Sequence, residues 1–424
     1  MSLYQELAWR GLVYGATEDA ERALAAETLT GYIGFDPTAA SLHVGSLLPA
    51  MGLARLQRFG HTPIAVVGGG TGLIGDPSGK TVERQLLTRE KVQENLAGIR
   101  GQLERVLDFS APGNPARIVD NADWLCELSL MDFLRDVGKH FGVGAMLGKE
   151  SVRRRLDGEE GISFTEFSYM LLQAYDFLTL HDRYGCRLQM GGSDQWGNIV
   201  AGIDLIRRQR RAAAHGVVFP LVTTASGVKF GKTEAGAVWL DPALTSPFRF
   251  YQFWVQTDDR DVVDYLKYFT WLGREAIAEL EEQVRTAPER REAQRRLAAE
   301  VTRMVHGESE LERAERATRV LFGEEVVELE PRDVLDVFAD VPSSEVGKDQ
   351  LAGAGLPLVD LLVSAGLAAS KGEARRALQQ GGVYLNNRRI ADERKAVTLD
   401  DALGGELLVL RKGKRDYHLV RVAG

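Results

Sequence analysis

The residue types best suited to chemistry fall in two short segments far apart in the chain. In YIGFDPTAASLHVGS a strand ends at Gly34 and Asp36, a turn follows, and Ser41 is expected to cap a helix whose first turn holds His43, Val44 and Gly45. The start of a helix attracts phosphate, because its unpaired N–H groups and its dipole both favour an anion. A histidine there suits phosphoryl or adenylyl chemistry, and Gly45 leaves room for a nucleotide to approach the backbone. The second segment, VKFGKTEAG, sets Lys229 and Lys232 around Phe230 and Gly231 and ahead of Thr233. Two ammonium groups on a glycine-containing loop can close on phosphates as negative charge moves to a departing pyrophosphate, a device that requires no proton transfer. Either segment alone reads better as an ordinary cap or a solvated loop; their order, HxG after an early strand and KxxK[ST] after a late one, is what makes the pair specific.

Two other glycine-rich strings compete for a phosphate reading. Gly70, Gly72 and Gly75 satisfy GxGxxG after the strand PIAVVG, but DPSGK intervenes where a dinucleotide fold opens its helix. Gly79-Lys80-Thr81 resembles the end of a P-loop, but Ile74 stands where the first glycine belongs.

A third constellation lies on a helix opened by the S-x-x-E capping box of Ser163 and Glu166 and running through about Leu180. Tyr169, Gln173 and Asp176 fall at i, i+4 and i+7, sharing one face, while Phe167, Leu171, Ala174 and Leu178 fill the opposite side. Such a helix is apolar almost all round, so its phenol, amide and carboxylate are expected to be buried and to require a polar ligand or partner.

The elements that must position these groups are legible in the patterning. Apolar, β-rich runs (LTGYIGF, HTPIAVVGG) alternate with helical stretches, the sign of a parallel α/β sheet. After about Ser246 the pattern becomes helical, with breaks at Pro288 and Gly307, and a Pro, Ser and Gly-punctuated stretch then reads as a linker. Net charge is −8, against indiscriminate polyanion binding, but it is unevenly spread: residues 356–424 hold 12 Lys/Arg and 8 Asp/Glu, giving +4, while residues 1–355 hold 40 and 52, giving −12. No apolar run reaches a membrane span of roughly 18 residues. Cys126 and Cys186 stand alone, with neither disulfide nor metal-ligand spacing, and read as core residues; no metal site is expected.

Once these pieces are in place, PTAASLHVGS and KFGKT resemble the HIGH and KMSKS signatures of class I aminoacyl-tRNA synthetases. The strings GFDPTA, GLIGDPSGK, FLRDVGKHF, GISFTEFSYMLLQAYDF, GGSDQWGN and LVSAGLAASKGEARRAL narrow the resemblance to the bacterial tyrosyl enzymes over nearly the whole chain. One departure is plain: Ser46 occupies the final histidine position of HIGH.

The resemblance implies a Rossmann-like catalytic domain over 1–220, the KFGKT loop and a linker over 221–246, a helical domain over 247–330, a linker over 331–355 and an S4-like α+β RNA-binding domain over 356–424. It implies a cytoplasmic homodimer, paired through Phe133 to Met146, that takes ATP with Mg²⁺, tyrosine and tRNA(Tyr), with no DNA or membrane partner. Tyr32 and Asp176 would grip the substrate phenol, Asp76, Tyr169 and Gln173 its ammonium, and Gln195 would line the pocket. Thr38, His43, Gly45 and Ser46 would meet the nucleotide; Lys229, Lys232 and Thr233 would close on pyrophosphate; and Gly34, Asp36, Gly192 and Asp194 would border the nucleotide. In the tail, Arg375, Arg376, Arg388, Arg389, Lys412, Lys414 and Arg415 would meet RNA phosphates. Two other readings stay open: a tryptophan-activating relative, and a noncatalytic RNA-binding protein on the same scaffold, for which Ser46 is the sequence hint.

Overall fold

The computed structural model describes all residues except 79–86, 159–160, 226, 228–229, 234–235, 327–328 and 415. The chain divides into two compact units, one of Met1–Thr245 with Trp254–Val305, the other of Ser246–Phe253 with His306–Gly424.

In the first unit, six strands form one sheet: β1 (Gly15–Ala16), β2 (Thr30–Phe35), β3 (Thr62–Val67), β4 (Arg117–Asp120), β5 (Cys186–Gly192) and β6 (His215–Phe219), in the order β1-β6-β5-β2-β3-β4. All pairings are parallel except the short β1 edge. From β2 the chain moves to β3 and β4 on one side, then returns to β5 and β6 on the other, so the strand order reverses between β2 and β5. The carboxyl ends of those strands therefore flank a crevice. The strands bear near-continuous apolar runs because helices cover a parallel sheet on both faces; Ile64, Val66, Phe177, Leu180 and Ile206 belong to one core cluster.

The helix Phe164–Tyr184 starts where Ser163 accepts a hydrogen bond from the Glu166 N–H and stops at Gly185, whose φ of 62° supplies the left-handed turn. The Glu166 carboxylate pairs with Arg155 at 2.8 Å, both side chains buried. The helix Val44–Arg58 runs through Pro49 without interruption, and its N-cap is His43 rather than Ser41. Residues 42–43 stay extended because His43 bridges to Trp239 and Leu240 N–H donates to the Leu42 carbonyl, which delays the helix. Among the described residues, no helix is long and apolar enough to cross a membrane.

The second unit carries a five-stranded sheet ordered Arg388–Ile390, Val383–Leu385, Leu407–Lys412, Asp416–Ala423, Ser343–Gly347, with the last pair parallel and the others antiparallel. Helices Leu358–Ser364 and Lys371–Gln379 share its apolar core. The stretch expected to be a linker, 331–355, instead supplies the helix Pro331–Val337 and the edge strand Ser343–Gly347. Its punctuation marks the turns between them, while Val334, Val337 and Phe338 pack with Leu407, Val409 and Leu419. The helical run after Ser246 breaks at Pro288, where a 3₁₀ turn intervenes, and at Gly307, with φ of 90°, but its helices are shared between the two units.

Candidate active site

Tyr32 projects from the middle of β2, between Ile64 of β3 and Gln189 of β5. Its ring meets Phe177 edge-on at 5.3 Å, and its hydroxyl is buried with no hydrogen-bond partner among the described residues. Burial and the charge of Asp176 push that phenol well above its ordinary pKa. Asp176 is buried in the adjoining helix, its Oδ1 accepting from Trp124 Nε1 at 2.7 Å and its Oδ2 from Asn121 Nδ2 at 2.9 Å. Burial raises this carboxyl to about 7, the two donors opposing the rise and Asp36 and Asp120 adding to it. Asn121 also accepts from the N–H groups of Gly70 and Thr71. The GxGxxG string is thus a 3₁₀ turn held beside this pocket.

A continuous polar chain lies along the same helix. Gln195 Nε2 donates to Asp76 Oδ2 at 2.7 Å, Gln173 Nε2 to Gln195 Oε1 at 3.2 Å, and Asn198 Nδ2 to Gln173 Oε1 at 3.0 Å. Tyr169 is buried one turn before Gln173. Of the stripe expected from the helical spacing, Tyr169 and Asp176 are buried and Gln173 is half-buried. The constellation joins an acceptor and an unpartnered hydroxyl at one place to an anion-bearing amide network at another, a match for a ligand with a hydroxyl group and a cation. Asn121, Trp124 and Asn198 are not among the expected site residues; the signal for the first two is NADW directly after β4, and Asn198 closes the string GGSDQWGN that runs on from β5.

The HxG segment and the stretch that follows Gly231 converge at the start of the helix Val44–Arg58. His43 Nδ1 accepts from Gly45 N–H at 3.0 Å, so in the neutral ring Nε2 carries the proton and is the donor. A Cβ on Gly45 would stand 2.7 Å from His43 Cε1, so this glycine makes room for the histidine ring. Lys232 and Thr233 pair in backbone register with Gly236 and Ala237, while Val238 N–H donates to the Gly231 carbonyl and Val44 N–H to the Val238 carbonyl. Gly231, with φ of 82°, leaves no space for a side chain: its Cβ would lie 2.9 Å from Val44 Cγ2. Phe230 is buried among Trp254, Tyr265 and Phe269 at centroid distances of 5.7, 4.9 and 5.2 Å. Lys229, and the Gly79-Lys80-Thr81 string, lie outside the described residues.

Gly34 and Gly192 sit at the carboxyl ends of β2 and β5, facing the crevice where the strand order reverses. Asp36 and exposed Thr38 follow β2, Asp194 follows β5, and Ser46 is half-buried on the first helical turn. Among the described residues, no group of three or more His, Cys, Asp and Glu is arranged to hold a metal ion. Cys186 is buried, but Cys126 is exposed, against the expectation that both are core residues; it follows a single helical turn, Ala122–Leu125, at the surface.

In the second unit Arg375, Arg376 and Lys414 are exposed. Three other tail cations are engaged within the unit: Arg388 with Glu325 at 3.2 Å, Arg389 with the Gly381 carbonyl at 2.7 Å, and Lys412 with Glu373 at 2.6 Å. Arg415 lies outside the described residues.

A family model described as "tRNA synthetases class I (W and Y)" matches residues 25–323, and one described as a tyrosine–tRNA ligase C-terminal domain matches residues 333–420. The chain is 58% identical to the tyrosine–tRNA ligase of Roseiflexus castenholzii over 99% of both chains. It is 53% identical to that of Bacillus caldotenax over the whole of both. Among solved structures, a C-terminally truncated mitochondrial tyrosyl-tRNA synthetase of Aspergillus nidulans superposes with a TM-score of 0.69 at 32% identity, covering 76% of this chain and 94% of that one. With the crevice, the HxG helix and the KFGKT hairpin in one place, and relatives matching from end to end, the chain belongs to the tyrosine–tRNA ligases, enzymes of the class I aminoacyl-tRNA synthetases.

Proposed function

We propose that this enzyme condenses tyrosine with ATP to tyrosyl adenylate and pyrophosphate, then transfers the tyrosyl group to the 3′-terminal adenosine of tRNA(Tyr). The observation that carries the amino-acid assignment is the buried, unpartnered Tyr32 hydroxyl next to the Asp176 carboxylate. A phenol entering there donates to Asp176 and accepts from Tyr32, leaving neither group unsatisfied. The substrate ammonium goes to Asp76, Tyr169 and Gln173, with Gln195 joining Asp76 to Gln173.

The tyrosine carboxylate then attacks the α-phosphate of ATP in line, forming the acyl–phosphate bond as the bond to pyrophosphate breaks. Catalysis here is positioning and charge stabilisation. His43 donates from Nε2 and Thr38 from its hydroxyl to the phosphates, with Gly45 and Ser46 beside them. Lys229, Lys232 and Thr233 neutralise pyrophosphate as it leaves, and Gly34, Asp36, Gly192 and Asp194 border the ribose. Mg²⁺ enters with ATP as the counter-ion of its phosphates. In the second step the terminal ribose hydroxyl attacks the acyl carbon and AMP departs. Arg375, Arg376 and Lys414 are the open cations for tRNA phosphates; Arg388, Arg389 and Lys412 reach RNA only by giving up their present partners, and Arg415 completes the set.

The enzyme acts in the cytoplasm as a homodimer. Leu130, Met131, Val143 and Phe164 are 70%, 72%, 61% and 78% exposed, an apolar surface around the 133–146 segment of the kind a subunit covers. The test of function is pyrophosphate exchange into ATP without tRNA, with tyrosine, phenylalanine and tryptophan in parallel. Exchange with tyrosine alone is expected; exchange with tryptophan, or none with tyrosine from folded protein, overturns the assignment.

A further inference from the structure

The loop of residues 37–42, which leads from β2 to His43, lies against one face of the helix Arg89–Leu103. Asn95, Gly98 and Gln102 are spaced i, i+3, i+7, a single stripe of that helix, and they meet the loop in order. Asn95, wholly buried, donates from Nδ2 to the Pro37 carbonyl at 2.8 Å. Gly98 faces Ala40 so closely that a Cβ would stand 2.0 Å from the Ala40 carbonyl oxygen. Gln102 Oε1 accepts from Leu42 N–H at 2.7 Å, and its Nε2 donates to Ser41 Oγ at 2.9 Å.

Ser41 Oγ also accepts from Asp241 N–H at 3.2 Å and donates to the Leu42 carbonyl, which accepts a second bond from Leu240 N–H. Residues 238–241 run directly on from the KFGKT hairpin. Gln102 therefore bonds to the two residues preceding His43 where both phosphate-handling segments are tied together. We propose that Asn95, Gly98 and Gln102 are positioning residues: this helix face is a template that fixes Thr38 and His43, and through Ser41 the hairpin, in the register that ATP requires.

This inference rests on the tyrosine-activating function above. None of the three residues belongs to the amino-acid pocket, so the template bears on the nucleotide step alone. The experiment uses the full chain carrying Gln102→Leu, Gln102→Glu or Gly98→Ala, and reads exchange kinetics against ATP beside tyrosine affinity by equilibrium dialysis. Gln102→Leu is expected to lose roughly 10-fold to 100-fold in kcat/KM for ATP, as for a displacement near 1 Å, with tyrosine affinity unchanged. Gln102→Glu keeps an acceptor for Leu42 N–H, and the Ser41 hydroxyl meets its second oxygen by turning away from the Leu42 carbonyl, which retains Leu240 N–H, so it recovers part of the loss. Gly98→Ala is expected to lose on the ATP side too, although alanine favours the helix. Unchanged ATP kinetics in folded Gln102→Leu and Gly98→Ala overturn the proposal, as does tyrosine affinity falling in step with them, or Gln102→Glu failing as completely as Gln102→Leu. Wild-type protein silent with tyrosine removes the function itself, a result distinct from an active wild type with unaffected variants.

Discussion

Trp124 Nε1 donates to Asp176 Oδ1 at 2.7 Å, holding the carboxylate in place beside the Tyr32 phenol. With Asn121 on the other oxygen, two acceptor positions are satisfied out of about four that a carboxylate offers. Under the proposed function, the remaining capacity and the Tyr32 hydroxyl, which has no partner among the described residues, are what a substrate phenol would complete.

Tyr32→Phe separates stability from selectivity. An unsatisfied buried hydroxyl costs about 1–3 kcal/mol, so the variant should unfold no earlier than wild type. It should nonetheless discriminate tyrosine from phenylalanine less well, by roughly 5-fold to 150-fold in kcat/KM for the same loss of about 1–3 kcal/mol. Urea unfolding beside exchange kinetics on both amino acids checks the pair; lost stability with discrimination intact would contradict it.

The raised Asp176 pKa has a definite sign. From 3.8 in the unfolded chain to about 7 when buried, the native state keeps a proton that the unfolded state releases. Stability is therefore highest below pH 4 with respect to this group and falls as pH rises toward 7, by on the order of 4 kcal/mol. Asp176→Asn should abolish this slope in pH-dependent urea midpoints. Tyrosine binding should strengthen as pH rises through about 7, because an ionised acceptor makes the stronger bond to a phenol.

Phe230→Ala should cost about 3–5 kcal/mol, the usual loss for emptying an aromatic core position. Phe230 is 4% exposed and sits among Trp254, Tyr265 and Phe269 while its neighbour Gly231 abuts Val44. Slackening that attachment should lower the exchange rate at saturating ATP while tyrosine affinity, read by dialysis, holds. Equal losses in both would assign Phe230 to the general core.

Much of this architecture was legible because it rests on local chemistry. The period of the helix from Phe164 sets Tyr169, Gln173 and Asp176 on one face, and the HxG segment and the stretch after Gly231, far apart in sequence, meet at one place. What escaped depends on contacts across the fold. His43 displaces Ser41 as cap because Trp239 and Leu240 pair with residues 42–43, which no local propensity reports. Asn121 and Trp124 reach Asp176 from more than fifty residues away. The strand Ser343–Gly347 is short and polar, and becomes a strand only by pairing with Asp416–Ala423.

Ser46→His should strengthen ATP use. Ser46 stands in the first turn of the helix that His43 caps, its N–H donating to the His43 carbonyl at 2.8 Å. An imidazole there adds one donor at the crevice, about 0.5–1.5 kcal/mol or roughly a two- to tenfold lower KM for ATP. An unchanged KM would mean that serine already makes the equivalent contact.

The placement of the tail's boundary has its own consequence. Ending the chain at Gly355 would strip Ser343–Gly347 of its partner strand and expose Val334, Val337 and Phe338, which pack with Leu407, Val409 and Leu419. Such a protein should aggregate. The pair Arg375→Glu and Arg376→Glu, by contrast, alters exposed positions on the helix Lys371–Gln379 and leaves its buried Ala374 and Leu378 in place. That double variant should keep tRNA-independent exchange at the wild-type rate and lose aminoacylation, with a shallower dependence on salt because two phosphate contacts have gone. Exchange and aminoacylation measured across a salt series decide the point: intact aminoacylation would remove both arginines from the RNA surface, and loss of both activities would mean that the substitutions damage more than that surface.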